Sequence, residues 1–338
     1  MSNAIGSITR AATRGDDPLN ILTFPTHERN QSFMAATGHK FWCIRGPNVK
    51  DWNTKYAPLP NNIVLFNPDK GERQIPPELD FDLVLSQNKF GQYQIAKPLS
   101  QKFHLPLVNI EHTLPHPSWS PSHLNTLRTM QGNINVFITD YSRKAWGWDE
   151  SNSEVVYHGL DTNLFSPNTK LVAKKHHILS VCNDWKNRDW CCGFEIWKEI
   201  TQGLAVSVVG DTPGLSKPAA SVHELVMKYR ESPVFLNTSL ISPIPTSLLE
   251  AMSCGLACVS TNNCAIPEAI KHGENGFLGN TPQELRSYCQ LLLNDSNLCE
   301  QMGKEARKTV LEKFSLESFV DNWNSVFRKA ADFVFVGS

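Results

Sequence analysis

The first half of the chain alternates short apolar runs with longer polar stretches. Five apolar runs predict strands, at residues 20–24, 62–66, 83–85, 106–110 and 136–139. Two of the polar stretches between them, 91–102 and 123–131, are compatible with helices. Continuous apolar strands that alternate with helices are typical of a parallel sheet covered on both faces.

A second series of the same kind occupies the rest of the chain. Its predicted strands are residues 178–181, 205–209, 234–236 and 257–260. Its predicted helices are residues 193–201, 220–231, 247–253, 267–272, 281–294 and 297–314. In the last predicted helix, Leu316–Ala331, an apolar stripe recurs every four residues at Phe319, Trp323 and Phe327, so we expect this helix to dock on the body of the protein.

The two series predict an α/β protein with two doubly wound, Rossmann-like domains. The segment 154–168 and the basic stretch 170–177 mark the junction. The predicted organisation is a flexible leader (1–18), an N-terminal domain (19–165), a C-terminal domain (166–315) and a docking helix (316–338). Ligands of such sheets bind beyond the carboxyl ends of the strands, so we expect a site in the cleft between the domains.

Composition narrows the class of protein. A chain of 338 residues with 41% apolar residues is long enough for two cores, and its net charge of −1 disfavours a sequence-independent nucleic-acid binder. The nine cysteines contain no C-x-x-C pair, which disfavours structural zinc and fits reduced thiols in a cytoplasm. No apolar run is long enough to span a bilayer, and the first twenty residues lack the apolar core of a secretion signal.

The most informative stretch is residues 242–268, S-P-I-P-T-S-L-L-E-A-M-S-C-G-L-A-C-V-S-T-N-N-C-A-I-P-E. A helix that begins near Thr246 or Ser247 would present free N–H groups and a positive dipole end, both suited to phosphate oxygens. Glu250 lies one turn further on, where its two oxygens could accept the hydroxyls of a ribose. On spacing alone, a capped helix with a solvated Glu250 explains the stretch as well.

The stretch resembles the donor-binding signature of glycosyltransferase family 4, E-x-F-P-x-S-L-L-E-A-M-A-C-G-x-P-V-V-x-T. Five more segments resemble motifs of that family in the same order, at residues 156–167, 180–193, 208–211, 265–268 and 272–278. The resemblance covers residues 178 to about 327. It implies a GT-B fold, a nucleoside-diphosphate sugar as co-substrate and retention of anomeric configuration.

The resemblance also implies roles for single residues on the donor side. Glu250 would bind the ribose, Thr246 and Ser247 would hold the donor phosphate, and Gly210 would form the turn near the nucleotide. Arg188 occupies the position of the family's diphosphate-binding lysine, a role that its planar guanidinium can fill. A surface charge is the alternative interpretation of Arg188.

Two positions depart from the family pattern. Ser242 replaces the glutamate that contacts the transferred sugar, which leaves the identity of the sugar and catalytic competence open. Asn183 replaces an arginine of the diphosphate site, so that the phosphate clamp would depend on Arg188 together with Lys186. A weaker clamp stabilises the leaving diphosphate less.

The N-terminal half resembles the family more loosely, and its candidate residues follow predicted strands. His112 occupies the position of a histidine near the transferred sugar, and Glu111 could orient it or bind a hydroxyl. His27 and Gln87, with the neighbouring Asn88, are further acceptor-side candidates. A structural role is the alternative for a single histidine at the end of a strand.

Neither a metal nor a cofactor is predicted. Asp80-Phe81-Asp82 resembles the metal-binding D-x-D of other transferases, but it precedes a strand and so lies at the wrong end of the sheet. No G-x-G-x-x-G follows the first strand, which disfavours a dinucleotide oxidoreductase.

The predicted reaction is transfer of a sugar from a UDP- or GDP-linked donor to a hydroxyl of a glycan, a lipid or another acceptor. Three residues are the candidates for the chemical step: His112, Ser242 and Arg188. Two alternatives stay open, a weak or inactive relative that binds nucleotide sugar and a transferase that acts on modified DNA bases.

Overall fold

The computed structural model describes residues 15–46, 51–67, 75–76, 78–151, 153–167 and 176–333. Most of the predicted leader and most of the basic stretch 170–177 lie outside the described residues. The chain divides into two compact units. Unit 1 comprises residues 1–138, 143–159 and 317–338, and unit 2 comprises residues 139–142 and 160–316.

Unit 1 contains one parallel sheet of seven strands. The strands are β1 (Asn20–Thr23), β2 (Lys40–Ile44), β3 (Ile63–Phe66), β4 (Leu83–Ser86), β5 (Leu107–Glu111), β6 (Ile134–Phe137) and β7 (Ser153–Val155). Its helices are α1 (Glu28–Ala35), α2 (Gln92–Phe103) and α3 (Pro121–Arg128). The short helix α4 (Asp140–Ala145) is shared between the two units. The spatial order of the strands is β3-β2-β1-β4-β5-β6-β7.

Unit 2 contains a parallel sheet of five strands, β8 (Ile178–Val181), β9 (Val206–Val209), β10 (Val234–Asn237), β11 (Ala257–Thr261) and β12 (Phe277–Gly279). Its helices are α5 (Asp189–Cys192), α6 (Phe194–Thr201), α7 (Val222–Glu231), α8 (Thr246–Ser253), α9 (Pro282–Asn294) and α10 (Ser296–Lys313). The spatial order of the strands is β12-β11-β10-β8-β9. The central strands β10 and β11 are fully buried, as continuous apolar runs require.

Both sheets reverse their strand order once, and ligands of doubly wound sheets bind beyond that point. The reversal lies between β1 and β4 in unit 1 and between β8 and β10 in unit 2. The predicted fold class, an α/β protein with two doubly wound Rossmann-like sheets, is confirmed.

The apolar stripe of the last helix, α11 (Leu316–Ala331), packs in unit 1. Trp323 and Phe327 are completely buried, and Phe319 is nearly so. The ring of Phe327 packs edge-on against Phe41 of β2, and that of Phe319 against Phe33 of α1. The final helix therefore completes the core of the N-terminal sheet.

Some elements differ from those that the pattern of apolar residues predicts. Strands β2, β7 and β12 and helix α1 were not predicted, and the predicted helix at 267–272 is wrong: residues Ile266–Glu268 form a single 3-10 turn. After that turn the amide of Lys271 donates to Oδ1 of Asn275 at 2.7 Å and His272 forms a β-bridge with Gly276, so the backbone hydrogen bonds there are not helical. In α1 the buried positions include Glu28 and Gln31, so its buried face does not read as an apolar stripe.

Arg307 of α10 holds the carboxyl end of α8 in place. Its guanidinium Nη1 donates to the carbonyl oxygen of Ser253 at 2.5 Å and to that of Phe165 at 3.3 Å. These bonds satisfy a terminal carbonyl of α8 and tie the helix to the segment before β8.

We expect Arg307→Met to lower the free energy of unfolding by about 1–3 kcal/mol, because buried backbone carbonyls lose their donor. Lys304→Met is the matched control: Lys304 lies one turn earlier on α10, and its exposed ion pair with Glu300 should contribute less than about 1 kcal/mol. Urea denaturation followed by circular dichroism measures both variants. Equal stability of the two would refute the role of Arg307.

Candidate active site

Two loops meet at the point in unit 2 where the strand order reverses. Loop 182–188 follows β8, and loop 238–245 follows β10. The amides of Leu240 and Ile241 both donate to the carbonyl oxygen of Cys191, at 2.8 and 3.1 Å. The hydroxyl of Thr238 donates to the carbonyl oxygen of Cys192 at 2.9 Å. These bonds hold together the two segments that carry the predicted phosphate-binding residues.

Gly210 and Asn183 form a second junction, between the loops after β8 and β9. Gly210 has φ +133°, and a Cβ atom there would lie 2.0 Å from the carbonyl oxygen of Cys182, so only glycine fits. The side-chain oxygen of Asn183 accepts the amide of Asp211 at 2.8 Å. Asn183 therefore supports the turn through its side chain, and its predicted contact with the donor stays a prediction.

Lys186 and Arg188 are the cations of the loop after β8, and both are exposed. Lys186 Nζ donates to the carbonyl oxygen of Pro213 at 3.1 Å. Arg188 occupies the position before α5, and its backbone carbonyl accepts the amides of Cys191 and Cys192 at 3.1 and 2.8 Å. The backbone of Arg188 is thus anchored while its guanidinium remains accessible to an anion.

Helix α8 begins at Thr246, after Pro245, whose side chain supplies no capping hydrogen bond. Thr246 is exposed and Ser247 is half-buried, so the first turn of the helix is accessible. Ser242 is half-buried in the loop that leads to the helix. An accessible helix N-terminus without a capping side chain favours an anion.

Glu250 lies one turn into α8 and is only 4% exposed, so the alternative of a solvated Glu250 is wrong. Its Oε2 accepts the hydroxyl of Tyr229, a fully buried residue of α7, at 2.8 Å. Burial and the neighbouring Glu250 raise the pKa of Tyr229 well above its usual value, so that the phenol stays a donor. A buried carboxylate requires such donors, and the bond fixes its orientation.

The acceptor-side candidates of unit 1 lie at the carboxyl ends of its central strands. His27 follows β1, Gln87 follows β4, and Glu111 ends β5, directly before His112. His112 packs edge-on against His27, with ring centroids 4.9 Å apart, and is stacked on His158 at 5.7 Å. The structure thus brings together three imidazoles from loops distant in sequence.

His112 and His158 favour the neutral form. Burial, reinforced by the nearby His158 and His27, lowers the pKa of His112 well below its usual value. Burial and the nearby His27 lower the pKa of His158 to about 4. Nε2 of His112 is buried and has no hydrogen-bond partner among the described residues. In a neutral imidazole this nitrogen can either donate one hydrogen bond to a hydroxyl group or accept one from it, according to the tautomer.

Gln87 and Glu111, at the carboxyl ends of β4 and β5, are both buried. Gln87 donates through Nε2 to the carbonyl oxygen of Phe24 at 3.2 Å, and Glu111 accepts the hydroxyl of Thr113 at 2.7 Å. Within the described part of the chain, Oε1 of Gln87 and Oε2 of Glu111 have no hydrogen-bond partner. Burial raises the pKa of Glu111, while its bonds to Thr113 and the charge of Lys89 oppose that rise.

Sequence reasoning missed three residues of these sites. His158 stacks on His112, Tyr229 orients Glu250, and the buried Lys89 donates to the carbonyl oxygen of Met130 at 2.9 Å beside Glu111. His158 lies in the family-like segment 156–167, and that motif could have pointed to it. Lys89 directly follows the Gln87-Asn88 pair, and its position after a predicted strand could have pointed to it. Tyr229 had no such signal, because a partner 21 positions away comes only from folding.

The D-x-D segment lies at the amino end of β4, as predicted. The carboxylate of Asp82 accepts the amide of Asn20, the first residue of β1, at 2.7 Å. In the described ranges, no group of three or more His, Cys, Asp or Glu side chains has an arrangement that could hold a metal ion. Metal independence stays a prediction.

Parts of the chain are similar in sequence to known glycosyltransferases. A sequence model of the family described as "Glycosyl transferases group 1" matches residues 218–309. The chain is 40% identical over 83 residues to N-acetyl-alpha-D-glucosaminyl L-malate synthase of Bacillus anthracis, which is 24% of this chain and 22% of that protein. It is 29% identical to an uncharacterized glycosyltransferase of Haemophilus influenzae over 87% of this chain and 90% of that protein.

Solved structures share the fold over most of the chain. HepE of Anabaena, crystallised with UDP, has a TM-score of 0.74 at 16% identity, over 92% of this chain and all of that chain. A sucrose-phosphate synthase of Thermosynechococcus elongatus has a TM-score of 0.72 at 12% identity, over 92% and 98% of the two chains. No helix among the described residues is long and apolar enough to cross a membrane.

The fold, the family match and the relatives together define the class of protein: a glycosyltransferase-like protein of GT-B type. More narrowly, they confirm the resemblance of this chain to glycosyltransferase family 4.

We expect His158→Gln to make stability less dependent on pH. Because folding lowers the pKa of His158 to about 4, the unfolded chain binds a proton that the folded chain excludes, and stability falls as pH drops below about 6.5. Glutamine cannot titrate, so the loss of stability between pH 7.5 and pH 5 should shrink by about 1–2 kcal/mol.

Urea unfolding at the two pH values measures this change, with His123→Gln, a substitution of an exposed histidine, as the control. An unchanged pH dependence in His158→Gln would contradict the assignment.

We expect Tyr229→Phe to lower the free energy of unfolding by about 1–3 kcal/mol, because the buried Glu250 loses a hydrogen-bond donor. Tyr288→Phe is the matched control in unit 2: its ring stacks on Phe277, and its hydroxyl has no hydrogen bond to any described residue. Chemical denaturation of both variants checks the difference. Similar stabilities would mean that Glu250 does not depend on the Tyr229 hydroxyl.

Proposed function

We propose that the protein transfers a sugar from a nucleoside-diphosphate sugar to a hydroxyl acceptor, with retention of configuration and without a metal ion. The observation that carries the proposal is the accessible N-terminus of α8 followed one turn later by the oriented carboxylate of Glu250. This pair suits the two polar parts of a nucleoside diphosphate, the phosphates and the ribose.

Charge supports the same assignment. Arg188 is exposed and directly precedes α5, and the carbonyl oxygens of Cys191 and Cys192 in α5 accept hydrogen bonds from the loop that leads into α8. It would neutralise the diphosphate with parallel hydrogen bonds. This cation and the helix dipole would then stabilise the negative charge that develops on the leaving group.

In the proposed mechanism the acceptor hydroxyl attacks from the side of the departing diphosphate, which takes up the acceptor proton. The chain contributes positioning and electrostatic stabilisation. His112, held neutral by burial, would contact the transferred sugar, and Glu111, Gln87 and His27 would serve acceptor hydroxyls.

Relatives favour a uridine nucleotide as the donor. HepE has been crystallised with UDP and with UDP-glucose. We therefore propose a UDP-linked donor, with a GDP-linked donor as the alternative. The acceptor is a glycan, a lipid or another hydroxyl compound.

The test is a thermal-shift titration of the chain with UDP and GDP, followed by assays of transfer and donor hydrolysis with UDP- and GDP-sugars. Binding to the native state raises the Tm by several degrees at saturating ligand. Glu250→Ala should abolish the shift measured against its own baseline, whereas Glu305→Ala, an exposed carboxylate of α10, should keep it. Glu250→Gln keeps the shape of the side chain, so it still tests the role of the carboxylate if the alanine variant fails to fold.

An unchanged shift in both Glu250 variants would remove this carboxylate from the site. A second candidate function is nucleotide-sugar binding without turnover. It is favoured by Ser242, which has no carboxylate to offer the sugar, and by Asn183, whose side-chain oxygen is bonded to Asp211. A clear UDP shift with neither transfer nor hydrolysis would favour this second function.

A further inference from the structure

Two adjacent residues on the loop after β4 show the reverse of their usual burial. Lys89 is only 2% exposed, whereas Phe90 is 53% exposed. Lysine is among the residues least often buried, and burial of a phenylalanine side chain normally stabilises a fold. The arrangement lowers stability, and natural proteins keep such exceptions mainly at functional sites.

Hydrogen bonds fix the backbone on both sides of Phe90. The side chain of Gln94, in the first turn of α2, accepts the amide of Gly91 at 2.9 Å and donates to the carbonyl oxygen of Lys89 at 3.1 Å. The ammonium group of Lys89 donates to the carbonyl oxygen of Met130 at 2.9 Å, which holds that side chain in the interior. The exposure of Phe90 is therefore a property of an ordered loop.

Phe90 is the outer ring of an aromatic stack. Its ring centroid lies 5.8 Å from that of Trp119, which is half-buried on the loop after β5. Trp119 lies 6.0 Å from Trp146, which is completely buried. Because β4 and β5 are neighbours in the sheet, the two loops meet at one edge of it. Phe90 and Trp119 thus form an accessible aromatic surface that a buried ring supports.

This aromatic surface adjoins the acceptor-side residues. The indole N–H of Trp146 donates to the carbonyl oxygen of Thr113 at 2.8 Å, and the hydroxyl of Thr113 donates to Glu111 at 2.7 Å. Oε2 of Glu111 and Oδ1 of Asn109 are buried and have no hydrogen-bond partner in the part of the chain that the structure describes. Both oxygens can accept a hydrogen bond from a hydroxyl group.

Polar groups border the aromatic surface. The imidazoles of His116 and His123 lie 6.1 and 5.4 Å from the ring of Trp119, and the hydroxyl of Ser118 is hydrogen-bonded to Nδ1 of His116 at 2.7 Å. A pyranose ring has the matching character. Its C–H groups suit the negative face of an aromatic ring, and the hydroxyls on its rim suit imidazoles.

Two other ligands match this surface less well. An acyl chain would cover the polar border without bonding to it, which is unfavourable. A nucleic-acid strand can stack its bases on aromatic rings, but its phosphates require more positive charge than a chain with a net charge of −1 offers.

We propose that Phe90 and Trp119 form a carbohydrate-stacking subsite that binds a pyranose ring of a saccharide acceptor. The apolar face of the sugar contacts the two rings, and the imidazoles beside them bind its hydroxyls. That the bound saccharide is the acceptor rests on the proposed function. The acceptor class is thereby narrowed to saccharides, either free or as the sugar part of a larger molecule.

The test is binding of the fluorescently labelled full chain to an array of immobilised oligosaccharides, followed by calorimetric titration with the saccharide that binds best. We expect Phe90→Ala to weaken this binding about tenfold, because the stacking contact is lost. Phe90→Tyr keeps an aromatic ring and should bind as the unchanged chain does. Phe90→Leu keeps an apolar contact without a ring and should be as weak as the alanine variant.

Phe103→Ala is the matched control, because Phe103 is a 47% exposed phenylalanine at the opposite end of α2. It should bind the saccharide as the unchanged chain does. Trp119→Leu should weaken binding as Phe90→Ala does, with circular dichroism to establish that it folds. The Phe90 variants carry the test alone if it does not fold.

Three results on the array would overturn the proposal: no bound saccharide, undiminished binding by Phe90→Ala, or undiminished binding by Phe90→Leu. Flotation with vesicles of phosphatidylcholine and phosphatidylglycerol that depends on Phe90 would assign the ring to lipid instead. Binding of a labelled single-stranded oligonucleotide that depends on Phe90 would assign it to nucleic acid. Either result would overturn the proposal as well.

The UDP thermal shift separates this proposal from the proposed function. Saccharide binding that depends on Phe90, in a chain without a UDP shift, would refute the proposed function and leave the subsite standing. A UDP shift and sugar transfer without saccharide binding would refute the subsite alone. A bound saccharide that receives no sugar from any UDP- or GDP-sugar would overturn its assignment as the acceptor.

Discussion

The donor site that we propose in unit 2 depends on the close approach of two backbones, at Gly193 and Thr238. Gly193 adopts a left-handed conformation with φ +65°, and a Cβ atom there would lie 2.2 Å from the carbonyl oxygen of Thr238. Because the two backbones lie so close, the carbonyl oxygens of Cys191 and Cys192 accept hydrogen bonds from the loop after β10. The segment that follows Arg188 and the loop that leads into α8 are therefore held together by two backbone hydrogen bonds and by the hydroxyl of Thr238.

Both units place buried polar side chains at the carboxyl ends of their central strands. In unit 2 the buried pair is Glu250 and Tyr229, and in unit 1 Glu111, Gln87 and Lys89 are buried together. Such groups lower stability unless they are hydrogen-bonded. Among the described residues, Oε1 of Gln87 and Oε2 of Glu111 have no hydrogen-bond partner, an arrangement that supports the acceptor-side role that we propose for them.

The two departures from the family pattern have different structural consequences. Asn183 supports the fold, because its side-chain oxygen accepts the amide of Asp211 and so stabilises the turn at Gly210. Ser242 lies half-buried on the loop before α8, where a hydroxyl replaces a charged side chain. In the proposed site, the positive charge opposite a diphosphate would come from Arg188 and Lys186, which donate to the carbonyl oxygens of Asn183 at 3.5 Å and of Pro213 at 3.1 Å.

The sequence by itself determined the fold class, most of the strands and the family-like motifs, because these depend on local periodicity and on short segments such as 242–268. It also placed Arg188 and His112 in loops that follow predicted strands, and Glu250 one turn into a predicted helix. Only the tertiary structure decided that Glu250 is buried against Tyr229 and that His112 stacks on His158. These pairs come from elements that the strand order makes neighbours, and strand order is set by the packing of whole sheets, which no local pattern encodes.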